Sequence, residues 1–204
     1  LQIETLDEIG SAIGKVREIA MITETAMNGD IDFETALRNR VKLLAGLNIN
    51  QLIELVLEKL LITQGASTLV TTMKANGAVT ALVSGGFTVI TEIIREKLNF
   101  DLCHGNTLVV DSSIVTGDLK PPIIDGNTKA AILHQECKRL EISRDDTLAV
   151  GDGANDIPML TEASLGVGFM PKPVVKKHVS NKIEHCDLRG VLFLQGFAEN
   201  EFIT

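Results

Sequence analysis

Two carboxylates and two glycines lie close together in Leu148-Ala-Val-Gly-Asp-Gly-Ala-Asn-Asp-Ile-Pro158. Asp152 and Asp156 follow an apolar run, Leu148, Ala149 and Val150, that reads as a buried parallel strand. Beyond Gly151 and Gly153 the pattern resumes as a helix with Pro158 in its early part. The acids are therefore expected at the carboxyl end of a strand and in the turn after it, the edge of an open α/β sheet where ligands bind. Clustered acids repel one another unless a hard cation joins them, and oxygen ligands of this kind suit Mg2+. A plainer use stays open: Asp152 or Asn155 could simply cap the helix.

Val83-Ser-Gly-Gly-Phe87 repeats that logic. A strand ends in a hydroxyl residue, two glycines expose backbone N–H groups, and a helix N-terminus follows, which together offer an anion site. A glycine turn serving only chain reversal is the alternative. Lys129 sits near the start of its own helix, where the dipole mildly disfavours a cation. It reads either as a solvated lysine or as the counter-charge that an anion site needs. A hydroxyl-plus-amide cradle, a lysine and a carboxylate pair for Mg2+ are the parts of a phosphoryl-transfer site. There the protein supplies positioning and charge stabilisation.

The elements that must hold these residues follow from periodicity. Leu6 to Ala20 carries Ile9, Ile13, Val16 and Ala20 on one helix face. Asp32 reads as the N-cap of a helix from Phe33 to Ala45, and Asn50 as the cap of a third from Gln51 to Leu61. Residues 66–75 form a fourth, closed by Gly77. From Ala78 onward the pattern alternates. Strand-like runs at Val79–Val83, Thr107–Val110, Ile114–Val115, Thr147–Val150, Leu165–Phe169 and Ile183–His185 are interleaved with helices at Thr88–Leu98, Asn127–Leu140, Ile157–Ala163 and 174–179. The two strands flanking Asp111-Ser112-Ser113 are expected to pair as a hairpin. Such alternation means an α/β fold, a parallel sheet covered by helices, with the leading helical third as a small bundle or a cap.

Composition excludes several classes of function. A net charge of −8 without a basic cluster argues against a nucleic-acid surface, and the lack of Trp and Tyr removes base-stacking platforms. No apolar run approaches the ~18 residues of a membrane span. Three widely spaced cysteines, Cys103, Cys137 and Cys186, with no CxxC pair, point to a reducing compartment, hence the cytoplasm.

The order of the Ser84 motif, Lys129 and Gly151-Asp-Gly-Ala-Asn-Asp156 resembles the second, third and fourth motifs of the haloacid-dehalogenase-like phosphatases. The segments Glu4-Thr-Leu-Asp-Glu-Ile9, Ile22-Thr-Glu-Thr-Ala-Met27 and Asp32-Phe-Glu-Thr-Ala-Leu-Arg-Asn-Arg-Val41 are similar to the cap of its phosphoserine-hydrolysing members. The likeness runs from about Glu4 to about Arg189. It implies a Rossmann-like core over 66–204, a helical cap over 5–65, and a core remnant at 1–4.

By resemblance, Ser84 and the Gly85 amide bind the transferring phosphoryl group, and Lys129 holds phosphate and nucleophile. Asp152 ligates Mg2+, Asp156 supports the metal shell, and Asn155 contacts substrate or phosphate. Arg40 and Glu4 match the positions that take the substrate carboxylate and ammonium, and Met27 lines the lid. The resemblance also implies a nucleophilic aspartate in an Asp-x-Asp motif just ahead of the Glu4 segment. Asp30-Ile-Asp32, Asp111-Ser-Ser113 and Asp145-Asp146 do not replace it, so the motif is expected upstream of Leu1, and residues 1–204 alone are expected to show little or no phosphatase activity. The expected partner is a small phosphate ester, phosphoserine first, with room for a homodimer and no nucleic acid or membrane. Two alternatives remain: another phosphomonoesterase or phosphotransferase of the same superfamily, and a phosphate-binding module without catalysis.

Overall fold

The computed structural model describes residues 5–28 and 30–204. In chain order, four helices come first: α1 (Thr5–Ala12), α2 (Val16–Met27), α3 (Phe33–Lys42) and α4 (Ile49–Lys59). Then follow α5 (Ala66–Ala75), β1 (Ala81–Phe87), α6 (Thr88–Leu98), β2 (Leu102–Asp111), β3 (Ile114–Lys120) and α7 (Gly126–Leu140). The rest is β4 (Leu148–Gly151), α8 (Ile157–Glu162), β5 (Leu165–Phe169), α9 (Pro173–Lys176), β6 (Asn181–Ile183) and α10 (Gly190–Leu194). The fold is α/β, and the chain divides into two compact units. One comprises residues 1–62 and 81–123, the other 63–80 and 124–204.

The first unit sets α1–α4 and α6 around the sheet β1-β2-β3, in which β1 and β2 run parallel and β2 and β3 antiparallel. Side chains on β3 alternate, so Val115 and Leu119 enter the core while their neighbours face out. They meet Leu37 and Val41 of α3, Leu52 and Val56 of α4, and Ile90 and Ile94 of α6, each set at helical spacing. The α3–α4 connector lies along the outer edge of β3: Gly46 N–H donates to Val115 O (2.9 Å), and Val115 N–H to Leu47 O (2.8 Å). An edge that would otherwise expose unpaired amides is thereby covered.

The second unit holds a parallel sheet, β4-β5-β6. Helix α8 packs on it through Leu160, alongside Ala149, Val175 and Val179. Val167, Ile183 and Val191 form a second cluster that Leu69 of α5 joins. Helix α5 is tied in by the Ile203 N–H bond to Thr72 Oγ1 (2.9 Å) and the Leu188 N–H bond to Gln64 O (3.1 Å).

Several boundaries move from their expected places for local reasons. The helix expected over 6–20 is two helices, because Gly14 takes a left-handed backbone (φ +71°) and breaks the hydrogen-bond ladder. The cap of α4 is Asn48, whose Oδ1 accepts from Asn50 N–H (2.9 Å), so Asn50 lies inside the first turn. Helix α7 starts one residue early on Asp125, and α10 carries too short an apolar run to announce itself. Asp32 caps α3 as expected, its carboxylate accepting from Thr35 N–H (2.7 Å).

Candidate active site

In the second unit, β4 ends at Gly151 and the chain turns through a single 3-10 turn, Ala154–Asp156, into α8. Asp156 folds back over this turn. Its Oδ2 accepts from the Asp152 N–H (3.0 Å) and the Gly153 N–H (3.1 Å), and its Oδ1 takes the Lys129 ammonium at 2.6 Å. Both partners are nearly closed to solvent, Lys129 at 5% and Asp156 at 6% exposure. A buried charge persists only when paired and hydrogen-bonded, and here each satisfies the other.

Space explains the glycines. A Cβ at Gly151 would stand 2.6 Å from Asp156 Cγ, and one at Gly153 would stand 2.7 Å from Asn155 Oδ1. Neither glycine is needed for a positive φ; each leaves room for a side chain that returns over the turn.

Lys129 reaches Asp156 because α7 is anchored just before it. Asp125 accepts from Thr128 N–H at 2.7 Å, and its carbonyl accepts from Lys129 N–H at 3.0 Å. The Thr128 amide holds the Asp125 carboxyl below the usual carboxylate range. Beyond the turn, Lys172 N–H donates to Asp152 O (2.9 Å) and ties the β5–α9 loop to it. Asp152 itself is exposed.

In the first unit, Ser84, Gly85 and Gly86 do not terminate β1 but bulge out of it. Val83 pairs with His104 and Phe87 with Asn106, so three residues of β1 stand against Gly105 alone. Strand bulges of this kind gather at functional sites. Ser84 Oγ accepts from Gly86 N–H (3.0 Å), which leaves the hydroxyl proton to donate elsewhere. Asn106 Nδ2 donates to Gly85 O (2.8 Å), and Thr88 Oγ1 donates to Gly105 O (3.2 Å).

The structure thus brings Lys129, Asp152, Asn155 and Asp156 together at one strand end, while Ser84, Gly85 and Arg40 lie on the first unit. Arg40 is half-buried on α3, its Nε donating to Ala36 O (3.3 Å). Met27 closes α2, and Glu4 lies outside the described residues. Asp125 and Asn106 escape the sequence reading. An Asp three residues before a Thr at a helix start is a signal for the first, whereas an Asn inside an apolar strand offers none for the second.

The donor set bears on the metal. Among the described residues no group of three or more His, Cys, Asp or Glu could hold an ion as a protein cage. One exposed carboxylate, Asp152, fits Mg2+, which keeps several waters and binds through one or two carboxylates plus substrate phosphate.

The strand-end lysine–aspartate pair and the exposed carboxylate belong to the second unit, and the bulged serine–glycine turn to the first; both are features of an α/β fold. Residues 10–161 match the profile of the haloacid dehalogenase-like hydrolases, and the chain belongs to that family. It is 40% identical over 189 residues to the phosphoserine phosphatase of Methanocaldococcus jannaschii, covering 93% of this chain and 89% of that one. It is 38% identical to a probable phosphoserine phosphatase of Schizosaccharomyces pombe, covering 98% of this chain and 68% of that one. Among solved structures, a substrate-bound phosphoserine phosphatase superposes with a TM-score of 0.85 at 39% identity, covering 94% of this chain and 90% of that one. A probable phosphoserine phosphatase of Vibrio cholerae superposes with a TM-score of 0.88 at 36% identity, covering 96% of this chain and 60% of that one.

Proposed function

We propose that the protein, when it carries the Asp-x-Asp nucleophile described below, hydrolyses L-phosphoserine to L-serine and phosphate with Mg2+ as cofactor. The observation that carries the reading is the Lys129–Asp156 pair, buried behind an exposed Asp152 at a strand end. A lysine ammonium has three protons, and the bond to Asp156 uses one. The other two are directed to phosphoryl oxygens. Ser84 Oγ–H and the Gly85 amide receive the same phosphoryl group, and Asn155 contacts it or the serine moiety.

Asp152 holds Mg2+, while Asp156, engaged by Lys129 and two amides, fixes the turn behind it. When bound, Mg2+ neutralises charge on the phosphoryl oxygens and orients them. Arg40 takes the substrate carboxylate and Glu4 its ammonium, with Met27 on the lid; a carboxylate and an ammonium require such opposite partners.

The nucleophile is the aspartate of the Asp-x-Asp motif that the family resemblance places ahead of the Glu4 segment. The acids available elsewhere have other duties: Asp32 caps α3, Asp111 accepts from Ser112 Oγ in the hairpin turn, and Asp145 lies in a 3-10 turn before β4. A reducing compartment such as the cytoplasm suits three cysteines that form no disulfide. No helix among the described residues is long and apolar enough to cross a membrane.

Phosphate release from a panel of esters, measured on the protein carrying the Asp-x-Asp motif, tests the assignment. L-phosphoserine should exceed glycerol phosphate and other esters lacking an amino-acid head by at least about 100-fold in kcat/KM, since unpaired charged groups reject the analogue. Equal turnover of the headless esters would replace phosphoserine with a broader phosphomonoesterase activity.

A further inference from the structure

Asn106 has no place in the reading above, yet its position is unusual. It shares one face of β2 with the core residue Leu108, pairs in register with the buried Phe87, and is itself 0% exposed. An apolar side chain is the default there, because burying an amide is unfavourable unless it is hydrogen-bonded. Its Nδ2 donates to the carbonyl of Gly85 (2.8 Å), the middle residue of the bulge.

The surroundings are arranged for this bond. Ser84, Gly85 and Gly86 have left the regular ladder, so strand pairing does not fix their carbonyl and amide directions. Gly105 lets β2 come close: a Cβ there would stand 3.2 Å from both Gly86 O and Thr88 N, and 2.8 Å from Thr91 Oγ1. Thr88 Oγ1 and Thr107 Oγ1 meet at 2.9 Å on the same stretch. Rotating the Gly85–Gly86 peptide plane would break the Asn106 bond.

We propose that Asn106 is a positioning residue for phosphoryl binding: by holding the Gly85 carbonyl it fixes the Gly85–Gly86 peptide plane, whose N–H in turn holds Ser84 Oγ, and so aims the bulge at the anion. The inference rests on the proposed role of Ser84 and Gly85, and it adds a residue that acts only through them.

The test, in the protein carrying the Asp-x-Asp motif, compares wild type with Asn106→Leu, which keeps the size and removes the donor, and with Asn106→Ser, which is milder and admits a water. Three quantities are read: amide exchange at Gly85 and Gly86 without ligand, inhibition by inorganic phosphate, and kcat and KM for L-phosphoserine. Asn106→Leu should speed exchange at both amides, weaken phosphate inhibition at least tenfold and lower kcat/KM by about 100-fold, the scale of a small misplacement of reacting groups. Asn106→Ser should lie between. Leu108→Ala, a packing control on the same strand, should lower the melting temperature with phosphate inhibition unchanged. A loss confined to melting temperature in the Asn106 variants, with phosphate inhibition and amide exchange as in wild type, would overturn the proposal. Failure of wild type to bind phosphate would instead count against the Ser84–Gly85 assignment, and the exchange data would still decide what Asn106 holds.

Discussion

Two glycine-bearing turns, one in each unit, look alike in sequence and are built differently. The turn after β4 leaves its strand, enters a 3-10 turn, and is closed by an ion pair that solvent barely reaches. The Ser84–Gly86 turn remains inside β1 as a bulge and is held by neutral hydrogen bonds from Asn106 and Gly86. One turn has its charge built in, and that charge holds the fold as well as, in the proposed reading, meeting ligand. The other presents a hydroxyl and backbone dipoles, so its substitution should affect binding more than stability.

The largest expected difference follows from that contrast. Lys129→Met leaves the Asp156 carboxylate buried and unpaired, and should cost about 3–5 kcal/mol in urea unfolding. The double variant Lys129→Met/Asp156→Leu should cost less than the two single changes added together, because each single change strands the other charge. Ser84→Ala, which removes one neutral acceptor, should cost about 1 kcal/mol while abolishing most phosphate inhibition. Additive costs at 129 and 156 would mean that the pair is not coupled.

Smaller effects separate the glycines. Gly151→Ala forces a methyl against the Asp156 carboxylate and should cost roughly 1–3 kcal/mol. In Gly86→Ala the new methyl lies 3.2 Å from Ser84 Oγ, so that hydroxyl must shift by tenths of an ångström. Unfolding should change little there, and inhibition by inorganic phosphate should weaken. The reverse ranking would erase the distinction between the turns.

A modest effect is predicted at the cap that seats Lys129. Asp125→Ala should cost about 1 kcal/mol. Because the folded pKa of Asp125 is depressed, its contribution is present above the ordinary carboxylate value of about 4. That contribution is lost as pH falls through the folded value. Acid unfolding of the variant should therefore begin at a pH no lower than wild type, with the stability gap narrowing as the medium is acidified.

How much of this was legible beforehand depended on whether the signal was local. Asp32 as a cap, the helix Thr88–Leu98 and the strand Leu165–Phe169 lie where periodicity and cap chemistry put them, since neighbours along the chain decide those features. The extension of β1 through Ser84-Gly-Gly was not legible, because it depends on Gly105 letting β2 approach from beyond the whole of α6. The same holds for Asp156. Its residue type marked it as a metal-shell acid, but the Lys129 ammonium and two amides that engage it are brought there by the fold.

Central to the proposed site is a division of labour between two acids, an exposed Asp152 assigned to Mg2+ in the proposed reading and Asp156 committed to holding the turn. Calorimetric titration of Mg2+ into the metal-free protein tests it most directly, with wild type and Asp152→Asn run side by side. Saturable binding is expected in wild type and none in Asp152→Asn, with the same urea midpoint for both because the Asp152 side chain is exposed. Unchanged Mg2+ affinity in Asp152→Asn would contradict that division.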